Sequence, residues 1–166
     1  MTTPAVPIRH LPESVMIEML KARYGQVSMG AHRYAVAAQV PQVGFGALRI
    51  CDFMALDCWQ GRDIYPLHGF EIKGSRGDWL AELRDPSKAE TFKQFCHRWW
   101  LVVSDPRIVR EGELPEGWGL LAVAGNRGLR QVRPAAKLKP EPMPWPMLAA
   151  FTRAVAKTAR RPVATG

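Results

Sequence analysis

Glu71 and Lys73 stand two residues apart in "GFEIK", a short apolar run shared with Phe70 and Ile72. On a strand that spacing puts both side chains on one face. A further acid, Asp52, lies in "RICDFMALDCW", flanked by apolar residues in both directions. An ionised carboxylate in such a setting costs roughly several kcal/mol unless it is paired or bound to a metal. If the two segments pair as a hairpin, Asp52 and Glu71 approach each other, and a hard divalent cation relieves their repulsion. Mg²⁺ favours one or two carboxylates, several retained waters and a substrate phosphate oxygen. Lys73 then points to the same spot, where its ammonium can orient a water or stabilise developing negative charge. The plainer alternative is a solvated ion pair of little energetic worth.

The elements that must position these residues follow from the pattern. "LPESVMIEMLKARYG" reads as a first helix, with Pro12 in its first turn and Gly25 just past its end. Val15, Met16, Met19 and Leu20 form its apolar stripe, and Glu18 falls at the border of that stripe. "RYAVAAQVPQ" predicts a first strand, and "GFGALRICDFMALDCW" a second that is apolar on both faces. In the second, Ile50, Met54 and Leu56 share one side with Asp52, while Cys51, Phe53 and Ala55 share the other. "QGRD" predicts a turn into an antiparallel third strand, "IYPLHGFEIK". A helical region from Ser75 to Trp99 is interrupted at Asp85-Pro86. Ser75 or Asp78 is placed to cap its start.

"WWLVVSD" predicts a fourth strand, with Trp99 and Trp100 on alternate faces. "RIVREGEL" is expected as a short helix, "PEGWGLLAVAG" as a fifth strand, and "GLRQVRPA" as a final strand after a "GNRG" turn. The Pro-rich link "KPEPMPWP" precedes a last helix with Leu148, Phe151 and Val155 at helical spacing, and then a basic tail. The expected class is α/β, a mixed central β-sheet flanked by helices. One domain over residues 1–139 is expected, followed by the link, helix and tail of 140–166.

The chain has 166 residues, a net charge of +8 and 47% apolar residues, enough for one core and suggestive of an anionic partner such as nucleic acid. Arg153, Lys157, Arg160 and Arg161 form a basic C-terminal stretch that either tracks a phosphate backbone or is simply solvated. No apolar run approaches a membrane span, and "MTTPAVPIRH" lacks the features of a signal peptide, so a cytoplasmic protein is expected. Cys51, Cys58 and Cys96 include no CxxC pair and are expected as reduced, buried thiols. No internal repeat is visible.

"CD" at 51–52, eighteen residues, then "EIK" at 71–73 resembles the PD-(D/E)XK nuclease superfamily. Around it the predicted order, helix-strand-strand-strand-helix-strand, is similar to that superfamily's restriction-endonuclease-like αβββαβ core, here over about residues 12–104. Within the superfamily the chain most resembles the small bacterial and phage MmcB-like DNA-repair proteins, with Arg49-x-x-Asp52 opening the motif and "EIKGS" closing it. The resemblance implies a Mg²⁺- or Mn²⁺-dependent nuclease acting on DNA, with RNA a lesser candidate, in repair, recombination or phage DNA processing. It implies Asp52 and Glu71 as metal ligands, Lys73 as the motif lysine and Glu18 as a supplementary first-helix acid and ligand. Gln94, or else Lys88, would be the second-helix polar residue. Lys88, Arg76 and Arg49 are the candidates for nucleic-acid contact. Cys51 replaces the motif proline, and Gln39 stands where many relatives carry a first-strand acid. The alternative is a catalytically inactive nucleic-acid-binding module on the same fold. A homodimer is compatible with either, without a nameable interface.

Overall fold

A computed structural model describes residues 5–42, 48–59, 61, 65–126 and 128–160. Helix α1 spans Glu13–Arg23, and a ribbon of β1 (Val27–Ser28) and β2 (Ala31–His32) follows. The main strands are β3 (Tyr34–Pro41), β4 (Ile50–Asp57), β5 (Leu67–Lys73), β6 (Arg98–Val103), β7 (Gly119–Ala124) and β8 (Gly128–Arg133). Helices α2 (Arg76–Arg84) and α3 (Ser87–Lys93) join β5 to β6, and α4 spans Trp145–Arg160. The sheet order is β3-β4-β5-β6-β7-β8, with β3, β4 and β5 a meander, β5, β6 and β7 parallel, and β8 antiparallel to β7. This is the expected mixed α/β sheet, and the helical region does divide at Pro86.

Each face of the sheet carries its own core. On one, Met16 and Leu20 of α1, with Tyr24 at its C-cap, pack against Phe53, Phe70, Trp100 and Val102. On the other, Trp79, Phe92, Phe151 and Ala154 of α2, α3 and α4 cover Met54, Trp99 and Leu101. Trp99 and Trp100 are thus both core, on opposite faces. Trp99 needs Gly69 beneath it, because a Cβ there would lie 2.3 Å from the indole ring. Because α4 supplies Met147, Phe151 and Ala154 to the second core, the packing does not divide at residue 140. Thr158 of α4 also accepts the outward Ala38 N–H at 3.0 Å, which closes the free edge of β3.

Several expectations change. The ribbon at 27–32 was not expected; it turns through Met29 and Gly30, both left-handed (φ +53° and +79°), which matches a two-residue hairpin loop. "RIVREGEL" forms no α-helix: a 3-10 turn covers Pro106–Ile108, and Gly112 at φ +78° prevents helical continuation. Cys51 joins the core of α2–α4 with Met54 instead of the side of Phe53, and Ile50 is exposed. Val15 is exposed, and so is Cys58, whereas Cys51 and Cys96 are buried free thiols. The third strand begins at Leu67. Ile64, most of the "QGRD" turn, Arg127 of "GNRG", the "GFGA" of "GFGALR" and the tail from Arg161 lie outside the described residues. Among the described residues, no helix is long and apolar enough to cross a membrane.

Candidate active site

The β4–β5 ladder runs from Leu56 opposite Leu67 to Phe53 opposite Phe70 and then opens. One residue further, where Asp52 comes level with Glu71, the Asp52 side chain replaces the backbone as partner. Its Oδ2 accepts the Ile72 N–H at 2.7 Å. The fork between the strands therefore forms around a carboxylate. Gly74 ends β5, and any larger residue there would bring a Cβ to 2.4 Å from the Leu11 carbonyl, so the chain ahead of α1 crosses the strand end at backbone contact. Ser104 holds that crossing, with its hydroxyl 2.7 Å from the Arg9 carbonyl and 2.9 Å from that of Gly74.

Lys73 points from the end of β5 to two acids. Its Nζ lies 2.6 Å from Glu71 Oε1 and 3.1 Å from Glu82 Oε2 of α2. Glu82 is only 5% exposed, and its Oε1 has no hydrogen-bond partner among the described residues. Ser75 starts α2 as expected, accepting the Asp78 N–H at 3.1 Å, and so fixes the helix that carries Glu82. Asp52, Glu71 and Glu82 thus outnumber the single ammonium of Lys73. Burial, then Glu13, push the Asp52 carboxyl up to about 7 against the opposing pull of the Ile72 N–H and Lys73. Burial, then Asp52, push Glu71 up to about 8 and outweigh Lys73. Lys73 itself, although burial disfavours its charge, is held above its ordinary value by Glu71, Glu82 and Asp52. The cluster is short of positive charge.

Gln39 completes the surroundings. It lies between the pairs Ala38–Phe53 and Val40–Cys51, hence level with Asp52, and has a left-handed φ of +55° in mid-strand. That conformation costs a non-glycine residue about 1–2 kcal/mol. Its amide donates to Glu13 Oε1 in the first turn of α1. A cleft of about 710 Å³ opens here, lined by Pro12, Glu13, Lys73, Ser75, Glu82 and Lys88 among others. Glu71 and Asp52 are not part of its lining. Glu71 meets the cleft through Lys73.

Asp52, Glu71 and Lys73 are therefore brought to one place, and Lys88 lines the same cleft as Lys73. Glu18 is not: it pairs with Lys21 at 3.0 Å and lines a different cleft with Tyr24, Tyr34 and Thr158. The first-helix acid beside Asp52 is Glu13, because α1 meets the site with its N-terminal turn. Gln94 sits at the exposed C-cap of α3, donating to the Thr91 carbonyl, and does not line the cleft. Arg76 is committed to a two-pronged pair with Glu113 and to the Ile108 carbonyl. Arg49 donates to the Ser87 carbonyl and to Thr91 Oγ1. Sequence reasoning missed Glu13 and Glu82, and marked Gln39 only by its place on the first strand. Glu82 had a legible signal, since it stands three residues after buried Trp79 on the inward stripe of α2.

Among the described residues, no three His, Cys, Asp or Glu side chains form a ready metal-ligand set. The donor chemistry nevertheless suits a hard cation: Asp52 and Glu71 offer oxygen alone, and with Glu82 they outnumber the one ammonium of Lys73. No family model matches the chain, and no curated protein or solved structure matches it.

Proposed function

We propose that the protein hydrolyses phosphodiester bonds in DNA with the help of Mg²⁺ or Mn²⁺. The observation that carries this reading is the strand fork, where Asp52 leaves the ladder to cap Ile72 N–H and lies beside Glu71 and Lys73. Asp52 and Glu71 would hold the cation, with Glu13 near enough to influence Asp52. When bound, such a cation supplies Lewis-acid polarisation of the phosphate and a more acidic water. Lys73, fixed at the cleft wall, orients the attacking water or stabilises charge on the phosphoryl oxygens. Lys88 and His10 line the same cleft and can face the phosphates on either side of the scissile bond. The net charge of +8 favours a polyanionic substrate.

The test is cleavage of supercoiled plasmid and of single- and double-stranded oligonucleotides with Mn²⁺. Wild type is expected to cut at least one form, and Asp52→Asn or Lys73→Met to lose about 100-fold or more. No cleavage of any DNA or RNA by folded wild type would overturn the enzyme. Salt-sensitive DNA binding unaffected by chelator or by Glu71→Gln would instead identify a binding module, the reading favoured by the lack of a ready three-residue ligand set among the described residues.

A further inference from the structure

The proposed metal site contains an internal competitor. Lys73 bonds Glu71, the acid that the cation would need, and screens it from the cleft. An ammonium at 2.6 Å from a largely buried carboxylate must move or share before that oxygen can take a cation. Moving it out into the cleft is one route, but its side chain is only 16% exposed. The structure supplies a second seat. Glu82 lies on the other side of Lys73 with Oε2 at 3.1 Å, is almost wholly buried, and keeps Oε1 unpartnered. A buried carboxylate with a free oxygen is costly, so its retention beside this lysine calls for a use.

We propose that Glu82 is a positioning residue that receives the Lys73 ammonium when Glu71 turns to the cation. This rests on the reading of Asp52 and Glu71 as the cation seat. A small rotation of the lysine stem converts a shared ammonium into one held by Glu82 alone. Lys73 then stays at the cleft wall, charged and correctly placed for the phosphate, while Glu71 is freed. Glu82 needs no contact with substrate to do this. The substitution Glu82→Gln keeps size and polarity but removes the attraction, leaving Lys73 on Glu71.

A double-mutant cycle read by calorimetric titration of Mn²⁺ alone, without nucleic acid, tests it. Glu82→Gln is expected to weaken Mn²⁺ binding by about 10-fold, within the range for residues that orient a ligand. Lys73→Met is expected to tighten binding, because it removes the competing ammonium. In the Lys73→Met background, adding Glu82→Gln is expected to change the affinity by about 2-fold or less, since Glu82 then has no lysine to hold. An equal loss in both backgrounds would overturn the proposal, because Glu82 would act only as a distant negative charge. No effect of Glu82→Gln on Mn²⁺ in a folded protein would overturn it too. If Glu82→Gln does not fold, Lys73→Met alone decides: unchanged or weaker Mn²⁺ binding removes the competition on which the proposal depends. Wild type that binds no Mn²⁺, or binds it as tightly as Glu71→Gln does, overturns the cation seat itself. That result is distinct from a Glu82 that proves idle beside a working seat.

Discussion

Asp52 and Asp57 lie five residues apart on the same strand, yet they are held in opposite ways. Asp57, only 7% exposed, accepts from Arg33 at 2.7 and 3.2 Å and from the Trp59 N–H at 3.1 Å. Burial works to raise its pKa, but Arg33 and Trp59 overcome it, and the carboxyl is held below its usual range. Arg33 in turn rests over the rings of Tyr34 and Trp59. At the other end Asp52 accepts the Ile72 N–H and faces Glu71, Glu82 and Glu13 with Lys73, among the described residues, as the offsetting charge. One end of β4 is a satisfied structural anchor. The other keeps its carboxyls under strain, which is where a ligand gains most by binding.

Substitution at the two ends should separate these roles. The largest contrast is in activity: Asp52→Asn should abolish Mn²⁺-dependent cleavage, while Asp57→Asn should leave it within about 3-fold, in the same plasmid assay. Comparable losses at both positions would dissolve the distinction. Stability should rank them the other way. Asp57→Ala strands a partly exposed guanidinium and should cost about 1–3 kcal/mol in urea unfolding, because Arg33 retains access to water.

The pH dependence sharpens the same comparison. Asp52 and Glu71 have folded-state pKa values of about 7 and about 8, above those of an unfolded chain, so the fold holds extra protons there. Their contribution is fully present below the ordinary carboxyl range near pH ~4 and is lost as the pH rises through those folded values. Without divalent metal, unfolding free energy should therefore fall by on the order of 1–3 kcal/mol between pH 5 and 8.5, and Asp52→Asn should flatten that slope. Asp57 has the opposite sign: its contribution is present above the ordinary range and is lost as acid protonates it. The smallest effect is expected at the start of α2, where Ser75→Ala should cost about 1 kcal/mol and tilt the helix that carries Glu82.

The pairing of β4 with β5 was legible in the sequence because two apolar runs with a turn between them leave one sensible register, and that register sets Asp52 level with Glu71. The acid of α1 was not. A helical stripe shows which side is core, but not that α1 would present its first turn to the sheet end, so Glu18 stood out and Glu13 did not. Gln39 was noticed by its place on the first strand, whereas its left-handed backbone has no residue signature at all. Arg76 and Arg49 looked free because their partners, Glu113 and the Ser87–Thr91 turn, lie 37 and about 40 residues away in the chain. Long-range pairs of this kind depend on the completed tertiary structure.

The bond between Ala38 and Thr158 joins residues 120 positions apart. The strand it protects is therefore synthesised well before the helix that guards it. Until α4 is made, the growing chain carries an open strand edge beside apolar side chains that await Phe151 and Ala154. A chain that stops short of α4 would offer that edge to its neighbours. Quality control of this fold thus rests on the late arrival of α4.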